Sequence, residues 1–148
     1  MQRKQPSGKA RPPKKKEPTP AEIAPGVFVG GWNDAEAFEG ARFCVLDEAP
    51  PDMPPATHIR IFDGAKQRAD RSALDRLADA VGSAQRQGKP VLIFCGHGVM
   101  RSPLGGMWYL HRSKGITLDQ AFEQVHARRS RVVHPKEWVK NAQDLVES

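Results

Sequence analysis

Val91-Leu92-Ile93-Phe94-Cys95-Gly96-His97-Gly98-Val99-Met100-Arg101-Ser102-Pro103 runs from an unbroken apolar segment through a cysteine, five loop residues and an arginine into a serine–proline pair. Pro90 opens the apolar run. Before it, Leu74, Leu77, Ala78 and Val81 recur at i, i+3, i+4 and i+7, predicting a helix over 71–87 with Gly88 at its end. An apolar run without alternation, bounded by such a helix, reads as a central strand of a parallel sheet covered on both faces. Pro103 suits the first turn of a following helix, where its missing N–H leaves no bond unmade. Strand, short loop and helix N-terminus together aim consecutive backbone N–H groups at one point, a nest for a tetrahedral oxyanion with Cys95 at its floor.

The residues of this loop fit phosphate chemistry one by one. Cysteines at helix N-termini beside a cation ionise at about 3.5–7.5 instead of about 8.5, so Cys95 is expected to be an ionised nucleophile at neutral pH. Arg101 offers a planar fork that holds two phosphate oxygens at once, which a lysine cannot do. Ser102 places a hydroxyl near the sulfur, and Gly96 and Gly98 let the backbone approach a ligand closely. Gly96, His97, Gly98, Val99, Met100 and Arg101 are the expected phosphate-binding set. The competing reading, a core cysteine that merely ends a strand, leaves the arginine, serine, proline and both glycines as coincidence.

Cys95 to Pro103 resembles the C-x5-R-S/T signature of cysteine-based protein phosphatases, and the Arg-Ser-Pro ending before a Trp108-Tyr109-Leu110 helix resembles the dual-specificity branch. The resemblance covers most of residues 25 to 146, including Pro25-Gly26-Val27-Phe28-Val29-Gly30, Asp63 and the stretch from Ala121-Phe122 to Pro135. It implies hydrolysis of phosphomonoesters on proteins through a phosphocysteine: phosphotyrosine and, in a shallow cleft, phosphoserine or phosphothreonine. One position departs from the pattern. Phe94 stands where the family usually has a histidine that orders the loop and keeps the sulfur ionised.

Breaking a phosphate ester leaves an alkoxide or phenoxide, so a general acid is needed opposite the sulfur. Asp63 follows an expected strand over His58 to Phe62, and its spacing to Cys95 matches the acid of the family. An Asp63-Gly64 turn of purely structural use is the alternative, and Asp70 and Asp52 stand behind it as candidates. Ionised Cys95 and protonated Asp63 are needed together, which implies a bell-shaped rate profile with a mildly acidic optimum. Ser102 is assigned to assist departure of the thiolate. His97 either faces solvent or adds charge toward a second phosphate. No cofactor is expected, and without a Cys/His pair at ligand spacing no metal is either.

Residues 1–20 hold seven Lys/Arg, one Glu and five Pro, whereas residues 21–148 hold sixteen basic and sixteen acidic side chains. The first segment reads as a disordered basic tail and the second as one phosphatase domain. The even charge of 21–148 speaks against a general nucleic-acid-binding face. The tail is either a solubilising extension or a contact for RNA or another anionic surface. No signal peptide and no membrane span is apparent, so a cytoplasmic monomer is the expectation. Cys44, in Phe43-Cys44-Val45-Leu46, reads as a core residue. Resolving cysteines in some relatives give it a second possible role.

Short strands are predicted at Val27–Val29 and Phe43–Leu46, a helical turn at Asn33–Phe38, and helices at Ser102–Arg112, at Leu118–Arg129 behind a Thr117–Gln120 capping box, and at Lys136–Glu147. The fold class is therefore α/β, a central mostly parallel sheet of four to five strands flanked by helices. Lysine-free loop positions disfavour phosphoinositides as substrates. A 5′-phosphatase acting on RNA, with His97-Gly98 as its shared feature, and a catalytically silent phosphoprotein-binding module are the alternatives. A sulfurtransferase would not need the acid.

Overall fold

The computed structural model describes residues 19–147. The tail expected over 1–20 lies outside these residues apart from its last two. In chain order the elements are β1 (Ala21–Ala24), β2 (Val27–Gly30), α1 (Trp32–Ala37), β3 (Ala41–Cys44), β4 (Thr57–His58), β5 (Phe62–Asp63), β6 (Arg68–Ala69), α2 (Arg71–Arg86), β7 (Val91–Phe94), α3 (Arg101–Lys114), α4 (Leu118–Arg128), a 3-10 turn at Pro135–Glu137 and α5 (Ala142–Val146). Five strands form one sheet in the order β1-β2-β7-β3-β4, and β5 and β6 form a separate two-stranded ribbon.

The apolar run does become the central strand. β7 lies parallel between β2 and β3, and Val91, Leu92, Ile93 and Phe94 are all fully buried. Its side chains alternate between two apolar layers. Val91 and Ile93 join the main core with Leu74, Leu77, Leu104, Met107 and Trp108, while Leu92 and Phe94 join Ala35 and Cys44 on the other face. Helix α3 approaches the sheet closely through Gly105 and Gly106. A Cβ on Gly105 would sit 2.7 Å from Leu77 Cδ2, and one on Gly106 2.8 Å from Val29 Cγ1. The glycine pair costs helix propensity and is retained because only glycine permits that contact.

Three departures from the sequence reading share a cause, tertiary contacts overriding local pattern. Strand β1 was not expected. Pro25 and Gly26 join it to β2 as an antiparallel hairpin, with Gly26 at φ 75°, the left-handed conformation that the second central position of a type II turn requires. The strand expected over His58–Phe62 breaks in two: β4 pairs with β3, whereas β5 leaves the main sheet and pairs with β6. The helix expected over Lys136–Glu147 survives only as the 3-10 turn and α5. Between them Lys140 N donates to Gln67 O at 2.8 Å, and the Asn141 side chain engages Ala69.

That Asn141 contact fixes the β5–β6 ribbon. Its Oδ1 accepts from Ala69 N at 2.9 Å and its Nδ2 donates to Ala69 O at 3.1 Å, so one amide replaces a missing strand partner. Asn141→Ala strands both groups of a buried residue, at a cost of about 1–3 kcal/mol. The expected result is a lower Tm and faster hydrogen exchange at the Ala69 amide; unchanged exchange there would show that the ribbon does not depend on this bond.

Candidate active site

Cys95 follows β7 directly and α3 begins at Arg101, so residues 96–100 form the loop. Each of its five carbonyls is held by a fixed donor. Trp32 N donates to Gly96 O at 3.0 Å, Arg129 Nη2 to His97 O at 3.2 Å and Arg129 Nε to Gly98 O at 2.8 Å. Val133 N donates to Val99 O at 2.9 Å and Leu104 N to Met100 O at 3.1 Å. With carbonyls tied on one side, amides are left for the other: Gly98 N and Ser102 N donate to Cys95 Sγ at 3.3 and 3.4 Å. Gly98 has φ 72°, and a Cβ there would lie 2.7 Å from Arg129 Nη2 and 2.8 Å from the Gly30 carbonyl carbon. Only glycine fits.

The Cys95 residue is 4% exposed, yet it borders a cavity of about 180 Å³ with Leu46, Gly96, His97, Val99, Met100 and Arg101. His97 is exposed and also borders a second cavity of about 230 Å³ beside Trp32, Arg129 and Arg131. Ser102 is fully buried. The Cys95 thiol donates to Ser102 Oγ at 3.3 Å, and the Ser102 hydroxyl donates to Gly30 O at 2.9 Å. A hydroxyl has one proton, so donation from Ser102 to an ionised sulfur requires that proton to turn away from Gly30.

Arg101 lies across the cavity wall, its guanidinium 5.0 Å from the Phe62 ring centroid. Its Nε and Nη2 donate to the two Asp47 carboxylate oxygens at 2.9 and 3.2 Å. Asp63 closes β5, and its Oδ1 accepts from Ala65 N at 3.0 Å and Lys66 N at 3.3 Å. The carboxylate therefore caps its own turn, while the adjoining Gly64 packs against Asp47 and Arg101. Of the two fallback acids, Asp70 is the N-cap of α2, accepting from Ala73 N at 3.1 Å, and Asp52 is exposed in the loop before β4.

Cys44 and Cys95 are both free thiols on opposite sides of the sheet, because Cys44 shares the layer of Phe94 and Cys95 that of Ile93. Burial pushes the Cys44 thiol up, the Cys95 charge adds to this, and a hydrogen bond with the Leu46 backbone opposes it. This placement suits a core residue and not a resolving thiol. Phe94 faces the same layer, edge-on to Trp32 with ring centroids 6.1 Å apart. An aromatic hydrocarbon fills that site where the family's histidine would bring a polar ring.

Sequence reasoning missed Arg129, Asp47 and Asn141. Arg129 sits in Arg128-Arg129-Ser130-Arg131, which reads as a solvated charge run, and nothing local marks it as 7% exposed. Asp47 carried one usable signal: it follows a strand predicted to be parallel, whose carboxyl end is where ligands gather.

A mostly parallel α/β sheet whose central strand leads into a cysteine, with loop amides turned onto its sulfur, is the architecture of the cysteine-based tyrosine phosphatase superfamily. The dual specificity phosphatase catalytic-domain profile matches residues 53–143. Mouse dual specificity phosphatase 28 is 30% identical over 119 residues, 74% of this chain and 72% of that protein. Among solved structures, human DUSP28 superposes with a TM-score of 0.67 at 24% identity, over 85% of this chain and 96% of that one. A mouse dual specificity phosphatase complexed with zinc tungstate gives 0.65 at 25% identity, over 91% and 96%. The chain belongs to the dual specificity phosphatase family, and its activity is that of a protein phosphatase. Among the described residues no helix is long and apolar enough to cross a membrane.

Proposed function

We propose that Cys95, Arg101, Ser102 and Asp63 carry out phosphomonoester hydrolysis on phosphotyrosine and, through a shallow cleft, on phosphoserine and phosphothreonine. The observation that carries this reading is the outward anchoring of all five loop carbonyls, which leaves Gly98 N and Ser102 N on the sulfur. In the first step the Cys95 sulfur attacks phosphorus in line. The S–P bond forms, the ester P–O bond breaks, and Asp63 gives its proton to the departing oxygen. Loop amides of Gly96 to Arg101 and the Arg101 fork stabilise the equatorial oxygens. In the second step water attacks phosphorus, Asp63 takes its proton and the S–P bond breaks. Ser102 turns its hydroxyl from Gly30 toward the leaving sulfur.

For Asp63 to act, its carboxylate has to release the Ala65 and Lys66 amides and face the leaving group. Asp63→Asn is expected to lower kcat on a phosphotyrosine peptide by about 10²–10⁴-fold, the usual worth of general acid catalysis, with KM nearly constant. Full turnover in that variant would assign the acid elsewhere. Substrate class is tested by comparing phosphopeptides with 5′-triphosphorylated RNA; faster hydrolysis of the RNA would replace the phosphoprotein reading. A reducing, cytoplasmic setting suits a reactive thiol, and a monomer suffices because every residue of the scheme comes from one chain. Residues 1–20 have no part in it. Their seven basic groups fit a solubilising segment, and salt-dependent RNA binding that vanishes on their removal would instead make them an anion contact.

A further inference from the structure

We propose that Asp47 is a built-in competitor for the phosphate-binding arginine. It occupies Arg101 in the resting enzyme, so that only an oxyanion of higher charge displaces it. The inference rests on the assignment of Arg101 to phosphate and deepens it by naming what sets the selectivity of that site. Asp47 follows Leu46, which borders the cavity, just past the end of β3. Its two oxygens accept from Nε and Nη2 of Arg101 at 2.9 and 3.2 Å, the same side-by-side pair of donors a phosphate would use. Phe62 beneath the guanidinium limits how the plane can tilt. Gly64 closes the other side, since a Cβ there would lie 2.4 Å from Asp47 Oδ2.

Two opposing effects are at work. The carboxylate keeps Arg101 beside the cavity, which favours binding. It also cancels the guanidinium charge and uses its donors, which disfavours binding. The side chains of Arg101 and Asp47 are 27% and 30% exposed, so solvent reaches and screens the pair and a phosphate dianion can displace it. A singly charged oxyanion gains less from the exchange. Competition wins over positioning because Cys95 and the loop amides already fix where phosphorus sits, leaving Arg101 little to position. Asp47 thereby acts as a filter on ligand charge, and every binding event includes its displacement.

Asp47→Asn separates the two effects, because the amide keeps one acceptor for Arg101 and removes the charge. Asp47→Ala removes both. Inorganic phosphate binding is read by titration calorimetry on the full chain, and as competitive inhibition of phosphotyrosine-peptide hydrolysis. Expected are a dissociation constant for phosphate about fivefold lower in both variants, a lower KM for the peptide, and smaller discrimination against singly charged aryl phosphonate monoesters. Unchanged or weaker phosphate binding in Asp47→Asn would overturn the inference, and so would weaker binding in Asp47→Ala, which would make Asp47 a positioning residue instead. A wild type that does not hydrolyse the peptide, with the phosphate gain intact in both variants, would discard the catalytic reading and keep Asp47 as a competitor.

Discussion

Cys95→Ser is expected to lower kcat on phosphotyrosine peptides and p-nitrophenyl phosphate by about 10⁴–10⁶-fold, the scale on which enzymes lose turnover when a nucleophile is removed. A serine hydroxyl is a weak nucleophile without an adjacent base, and among the described residues no histidine or lysine is hydrogen-bonded to Sγ, whose partners are Gly98 N, Ser102 N and Ser102 Oγ. Serine preserves the acceptor for both amides, so the variant should keep its Tm within a few degrees and still bind phosphopeptide. Rapid-quench labelling with ³²P-peptide at low pH should trap a phosphoenzyme in the wild type and none in Cys95→Ser. Residual turnover within tenfold of wild type would remove Cys95 from the chemistry.

Arg129→Ala carries the second large effect, on stability and activity together. Arg129 touches neither Cys95 nor the cavity that Cys95 borders; it holds His97 O, Gly98 O and, through Nη1, Thr19 O at 3.2 Å. Without it two loop carbonyls lose their partners, and the orphan on buried Gly98 alone costs about 1–3 kcal/mol. A loss of about 3 kcal/mol corresponds to roughly 10 °C in Tm. The loop amides depend on those carbonyls facing outward, and a displacement near 1 Å costs about 10²-fold in rate, so kcat/KM should fall by about that factor. Arg129→Lys should recover only part of it, since an ammonium lacks the fork that spans two carbonyls. If circular-dichroism melting shows no change and kcat/KM stays within threefold, the loop is held by its other three anchors alone.

These two residues also show how legibility differed along the chain. The placement of Cys95 was readable because it depends on neighbours in sequence: apolar strand, five residues, arginine, helix start. Central burial of Val91 to Phe94, the α2 and α4 boundaries and the capping box of Thr117 and Gln120 were readable for the same reason. The α3 helix was placed correctly and runs one residue earlier and two later than expected, to a left-handed Gly115. Arg129 was not readable. A buried arginine bonded to carbonyls about thirty residues upstream has the same local sequence as an exposed one.

The β5–β6 ribbon that carries Asp63 is an intermediate case. Asp63 and the turn after it were identified, but its pairing partner β6, the Asn141 amide that anchors it and the Asp47 carboxylate beside it come from segments distant in sequence. Local pattern over His58–Phe62 predicts one strand, and competition between β3 and β6 for backbone donors divides it.

What the amino-acid sequence determined alone is the strand–loop–helix frame around Cys95 and the layer architecture, because hydrophobic periodicity and a cysteine just ahead of a helix start are properties of neighbouring residues. What tertiary structure decided is which charges face that loop: Arg129 turned inward to its carbonyls, Asp47 onto Arg101, Asp63 into its own turn. Such pairings form between groups brought together only when the sheet closes, and their energies depend on burial and distance, which no local stretch of sequence encodes.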